Sequence, residues 1–291
     1  MSLSLQQRLN KRSRSRVGRE RTNWWATGIL GICALAVLAP LFVTVSMAFK
    51  SAKQAVDGKA FSLPKPFSIE GFTAAWNLVN FPRAFTISLV ITLVAVLGAV
   101  LVASMASYAI HRNWSKRFYR FSFYYLLGAM FLPFPVLALS QVKLTGLFGL
   151  DNPAGVAILH VMFGLSFNVL LFTSFLRGLP GELEESARID GASNWTTYWR
   201  IIFPLLAPMS ATVAIFAFLS SWNDFMMPSL IIAEQADQTL PVVQQLFQTQ
   251  FSNNYHVSFA SYLMAMAPSV VAYLFTQRWV MSGLTQGAVK S

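Results

Sequence analysis

The chain has 291 residues, 55% of them hydrophobic and only 11% charged, and its mean hydropathy of +0.52 excludes an ordinary soluble protein. A formal charge of +11 raises nucleic acid as a partner. The basic residues are densest in an N-terminal tail before an apolar run, however, which points to a membrane surface and sets nucleic acid aside.

The tail, residues 1–25, carries Arg8, Lys11, Arg12, Arg14, Arg16, Arg19 and Arg21 and ends in an interfacial pair, Trp24 and Trp25. A first span follows over 26–49, too long for the apolar core of a signal peptide, with Pro40 as a point for a kink. Its Cys33 reads as a small hydrophobe, and as the single cysteine it allows no disulfide within the chain.

A long polar connection, Lys50 to Arg83, contains Pro64, Pro66 and Pro82. The second span is 84–110, and a basic loop with Arg112, Lys116, Arg117 and Arg120 leads to a third, 121–142, interrupted by Pro133 and Pro135. The fourth span is 153–176, the fifth 205–232 and the sixth 257–277, with a charged elbow at 181–204 between the fourth and fifth and a tail from 283 to 291. Each run reaches the roughly 20 residues that cross a hydrocarbon core of about 30 Å. The expected fold is an all-α membrane protein, one bundle of six transmembrane helices occupying 26–282.

Six spans place both ends on one side. With the N-terminus in the cytoplasm, 16 of the 22 Lys and Arg fall inside, as the positive-inside rule expects, and the elbow is cytoplasmic.

The elbow, GELEESARIDGASNWTTYWRIIFP, reads as two short helices with a break between them. Pro180 and Gly181 start the first, and Glu182, Glu184 and Glu185 fall in its first turn, at the positive end of the helix dipole. Glu184 and Arg188 have the spacing of a helical ion pair, worth a few tenths of a kcal/mol. Gly191 stops this helix, and Ser193 or Asn194 caps the next, which runs through Trp195, Tyr198 and Trp199 toward Pro204.

Phosphate loops of the G-x4-G-K-[ST] type, H-E-x-x-H, G-x-S-x-G and Cys/His metal spacings are absent from the sequence. No catalytic residue, cofactor or metal is therefore expected in this chain. Of its three histidines, His111, His160 and His256, His160 stands inside the fourth span and reads as buried and hydrogen-bonded, not on one clean face with Ser166 and Asn168.

Asp224, beside Asn223 in SWNDFMMP, is the most pointed membrane residue. At a helix centre it would cost about 2.5–3.5 kcal/mol. Counting from Pro204 puts it about 30 Å along the fifth helix, near the outer interface. It is either an interfacial cap or, with Asn223, part of a substrate path.

Glu185, Ala187, Gly191, Ile201 and Pro204 match the spacing of E-A-A-x3-G-x9-I-x-L-P, with Ser186 and Phe203 replacing an Ala and the Leu. This resembles the EAA loop of bacterial ATP-binding-cassette (ABC) importer permeases, and EESARIDGAS resembles the carbohydrate branch, of maltose or glycerol-3-phosphate type. The resemblance implies that the elbow is a coupling helix. It would dock on a separate ATPase through Glu184, Glu185, Ser186, Ala187, Arg188, Asp190, Gly191 and Ala192, with Gly191 needed for backbone freedom and close approach.

It also implies a second permease in a heterodimer, two ATPases that hold ATP and Mg, and an extracytoplasmic binding protein. The segment Gly283 to Gly287 resembles a permease C-terminus that reaches into the ATPase dimer, or is a frayed end. Of the other classes, an ion-coupled secondary transporter would want midplane ionisable residues, for which the chain offers His160 and Asp224. An intramembrane enzyme would want a nucleophile and base, and no pair is found.

Overall fold

Backbone that cannot hydrogen-bond to lipid must close its bonds within helices. The computed structural model describes residues 23–57, 59–78, 80–249 and 254–288, and among these it has helices and no strand. The basic residues of the tail, Arg8 to Arg21, lie outside the described residues. The chain divides into two units, one ending at Thr44 and one beginning at Val45, where the sequence suggested one bundle. The described residues of the first belong, from Trp24 on, to helix α1, Trp24–Ala48, apolar enough to cross a membrane and with most of its side chains up to Thr44 exposed.

The second unit is built around α4, Phe81–Arg112, a single helix of 32 residues. One face of it is buried and made of small or hydroxyl side chains at helical spacing: Ala84, Ser88, Thr92, Ala95, Ala99, Ala103 and Ser107. The opposite face exposes Val90, Leu93, Val94, Leu97 and Leu101. Lipid is as apolar as leucine, so helices associate through close packing and hydrogen bonds, and both need small residues at the contact.

The main partner of this face is α7, Pro153–Leu176, whose Val169, Phe172 and Leu176 join Ala99 and Ala103 in the largest core cluster. Gly98 lies so near that a Cβ there would overlap a Val161 methyl. The hydroxyls of α4 fasten the other elements. Ser107 Oγ donates to the Val169 carbonyl at 3.2 Å, Thr92 and Ser221 share a hydrogen bond at 3.3 Å, and Ser88 Oγ accepts the Leu240 N–H at 2.8 Å.

The connection between α1 and α4 is partly folded, with α2 at Ala52–Val56 and α3 at Glu70–Leu78, the latter packed on the last helix. The third span is two helices, α5 (Arg117–Ala129) and α6 (Phe134–Leu147), bent by 104°. Pro133 stands at the N-cap of α6 and Pro135 sits in its first turn, so the interruption expected at these prolines is the start of a new helix.

The elbow holds α8, Glu182–Ile189, and α9, Asn194–Thr197; a π turn over Tyr198–Ile202 and the short α10, Phe203–Leu205, lead to α11, Ala207–Trp222. The fifth span of 205–232 is therefore not one helix. At 16 residues α11 covers only about 24 Å, and the chain restarts as α12, Met226–Ile231. At the break, Asp224 Oδ1 accepts the N–H groups of Met226 and Met227 at 3.0 and 3.4 Å and caps a new helix, and Pro228 has no N–H to continue the old one.

Helix α13, Leu240–Thr249, precedes the last, α14, Tyr255–Ala288, which runs past the expected end of the span and includes Gly283 to Gly287. Four helices among the described residues are long and apolar enough to cross a membrane, or six if each bent pair counts as one span.

The α4–α7 contact is testable by overpacking. Gly98→Leu should cost about 1–3 kcal/mol and lower the unfolding midpoint in detergent by several degrees. Gly128→Ala, with nothing within 4 Å of its added Cβ, should leave the midpoint unchanged or slightly raised.

Candidate functional site

Two features stand out, the elbow at one end of α4 and a cavity beside its middle. Helix α8 opens with three carboxylates in its first turn and ends on Gly191, whose φ is +75°. The Gly191 N–H bonds the Arg188 carbonyl at 3.1 Å and the Ala192 N–H reaches the Ala187 carbonyl at 2.9 Å, the paired bonds of a Schellman stop. Nothing lies within 4 Å of a Cβ at 191. Glycine serves here for its left-handed backbone, and the close approach expected of it has no counterpart within the described residues.

Ser193 is the cap of α9, its Oγ accepting the Thr196 N–H at 3.1 Å. The chain then turns. In the π turn the Phe203 N–H bonds the Tyr198 carbonyl, five residues back, Pro204 supplies no N–H, and the stretch Asn194–Leu205 is bent 75° from α11.

The eight sequence-derived elbow residues divide between two faces. Glu185, Ser186, Arg188, Asp190 and Gly191 are exposed, Ala192 is half-buried, and Ala187 is the only buried residue of α8. Beside them Ile189 is 86% exposed and Trp195 60%, large apolar side chains on an otherwise polar surface. Glu184 faces inward. It does not pair with Arg188 as the spacing suggested; its Oε2 accepts from Arg112 Nη1 and from the Tyr108 hydroxyl, both at 3.2 Å and both on α4. Arg112 Nη1 also donates to the Tyr108 oxygen at 2.6 Å, and the charged side chains are less than one-fifth exposed.

The second leg of the elbow is also fastened to α4. Tyr198 is buried, its hydroxyl shares a 2.7 Å hydrogen bond with Ser104, and its ring lies 5.3 Å from that of Tyr108.

The cavity, of about 700 Å³, lies between α4, α7, α11 and the break before α12. Its polar lining is His160, Asn168, Ser220, Asn223 and Asp224, and its apolar lining includes Phe134, Phe163, Phe167 and Phe216. Asp224 makes two contacts here: Oδ1 caps α12, while Oδ2 stands 3.6 Å from His160 Nε2 in the cavity wall. The expected hydrogen bond of His160 is missing at that nitrogen, which is buried without a partner. Asn168 does reach the same cavity, because eight residues of helix return to within about 80° of the starting direction, inside an ordinary helix face. That periodicity was the signal available for the pair. No cluster of metal-ligating side chains occurs among the described residues.

Residues 95–285 match the family described as the binding-protein-dependent transport system inner membrane component. The chain is 33% identical over 284 residues to the multiple sugar-binding transport system permease protein MsmG of Streptococcus mutans, covering 93% of this chain and 99% of that one. It is also 33% identical to the probable starch degradation products transport system permease protein AmyC of Thermoanaerobacterium thermosulfurigenes, over 89% and 94% of the two chains. Its fold resembles a chain of a bacterial ABC transporter involved in import of the acidic polysaccharide alginate, with a TM-score of 0.75, 21% identity and coverage of 87% and 94%. A second structure of a bacterial alginate ABC transporter, in complex with a periplasmic protein bound to an alginate pentasaccharide, gives 0.64 at 18% identity, covering 87% and 92%.

The Schellman stop makes Gly191 measurable. Gly191→Ala forces an L side chain into the left-handed region at about 1–2 kcal/mol, so the backbone amides at positions 191 and 192 should exchange hydrogen roughly tenfold faster. Gly191→Asn should show a smaller change.

Proposed function

The chain belongs to the binding-protein-dependent transport system inner membrane components, and from that membership we propose that it is a permease subunit of an ABC importer for a sugar or sugar derivative. The observation that carries the sugar is the agreement of full-length relatives named for multiple-sugar and starch-product transport. They give no support to an ion-coupled secondary transporter. The subunit itself is non-catalytic. ATP and Mg belong to two ATPase subunits, a second and different permease completes the pathway, and a binding protein delivers the sugar; the alginate ABC transporter of similar fold is in complex with a periplasmic protein that holds an alginate pentasaccharide.

The membrane is the bacterial cytoplasmic membrane, with the termini and elbow on the cytoplasmic side, where most Lys and Arg then fall. The exposed face of α8 and α9, with Glu185, Ser186, Arg188, Asp190, Ile189 and Trp195, docks on an ATPase. Ile189 is the apolar anchor that such a contact needs. Closure of the ATPases moves the elbow and shifts the helices between inward-open and outward-open states, through differential binding energy and without chemistry in this chain.

The cavity is the substrate path. Asn168, Asn223 and Ser220 offer hydrogen bonds to sugar hydroxyls, and the phenylalanines offer flat apolar faces to the C–H side of a sugar ring. Neither Lys nor Arg is among its lining residues, and Asp224 opposes an anion. This favours a neutral sugar over a phosphorylated or uronic one.

The test is copurification from the native membrane. The wild type should bring down an ATPase and a second permease. Ile189→Asp should recover at least tenfold less ATPase while keeping the permease partner. Recovery of the wild type alone and stable would contradict the reading.

A further inference from the structure

The elbow continues covalently into α11, but that route is interrupted by the π turn, Pro204 and a bend of 75°. The route through space is not. Helix α4 runs unbroken from Arg112 to Ala99 and Ala95, which line the cavity, about 20–25 Å away. At its elbow end it holds α8 by the Glu184–Arg112 ion pair and the Tyr108 hydroxyl, and it holds the second leg by Ser104 and Tyr198.

We propose that the cluster of Glu184, Arg112 and Tyr108 is the joint through which elbow motion drives α4 and thereby the cavity, so that Glu184 is a positioning residue and not part of the ATPase-docking face. The inference rests on the importer reading above. Several features of the cluster support it. Glu184 is turned away from the surface that Glu185 and Asp190 occupy, with only 17% of its side chain exposed. Its bonds are charge-assisted and lie largely out of water, which makes them stronger and more directional than apolar contact.

The two attachments also differ in position along α4. Ser104 and Arg112 are eight residues apart, about 12 Å, so the elbow can neither slide along α4 nor swing about a single point without breaking one of them. Movement of α8 is thus movement of α4. Beyond the cavity, Thr92 meets Ser221, the penultimate residue of α11, so the same helix reaches the end of α11 that borders Asp224.

The experiment uses the assembled importer, with its second permease, ATPases and binding protein, in a Cys33→Ala background carrying Ser220→Cys as a reporter in the cavity. Reaction of the introduced thiol at position 220 with a charged methanethiosulfonate is followed by mass spectrometry, without nucleotide and after trapping with Mg, ATP and vanadate. Trapping should change the rate at least tenfold. Glu184→Gln and Arg112→Gln should each reduce the change to less than twofold while ATPase copurification and the unfolding midpoint stay near the parent values. The exchange Glu184→Arg with Arg112→Glu should restore at least half of it.

Single variants that keep the full response overturn the proposal, as does an exchange that restores nothing. Loss of the ATPase from Glu184→Gln alone returns Glu184 to the docking face and also overturns it. A parent complex without any ATPase is a separate outcome, in which the importer reading itself fails.

Discussion

The close contact between α4 and α7 is the constraint on which the rest of the structure depends. In lipid no hydrophobic force drives two apolar helices together, so the contact has to be made by fit. Ala95, Ala99, Ala103 and Ser107 bring the backbones near, and Gly98 leaves room for Val161. Because the side chains on this face are short, their hydroxyls reach neighbouring backbone and side chains. The same face that packs α7 therefore also fixes α11, α13 and the elbow through Thr92, Ser88 and Ser104. A longer side chain at these positions would separate the helices and break those bonds together.

The two candidate functional regions follow from this arrangement. The cavity lies where α11 stops short and Asp224 starts a new helix, so a break in the fifth span provides both the space and its polar wall. The elbow lies where α8 and α9 leave the bundle, closed by Gly191 and Ser193 and attached to α4 at two heights. A rigid helix between two such regions is a mechanical element in the literal sense. It has few internal degrees of freedom over about 48 Å of length.

Much of this was legible in the sequence because it is local. The apolar runs locate the long helices, the charged run locates the elbow, and Gly191 and Ser193 announce their caps through residue type alone. What was not legible is what depends on partners distant in the chain. Glu184 has a suitable Arg four residues on, yet it pairs with Arg112, 72 residues away, because folding brings α4 under α8. Asp224 sits in a run that counts as continuous helix, yet the run breaks there: its side chain accepts the Met226 and Met227 amides, and Pro228 has no N–H to offer the Asp224 carbonyl. His160 and Asp224 face each other across 64 positions of sequence, a proximity no periodicity expresses.

The proposed contact between the exposed face of the elbow and an ATPase is open to a direct test. The most direct measurement places the photocrosslinker p-benzoylphenylalanine at position 189 in native membranes, with position 147 as a control, since Leu147 is equally exposed but lies at the end of α6, outside the elbow. An ATPase adduct is expected from 189 and none from 147. An intact complex that gives no ATPase adduct from 189, or equal adducts from both positions, would contradict it.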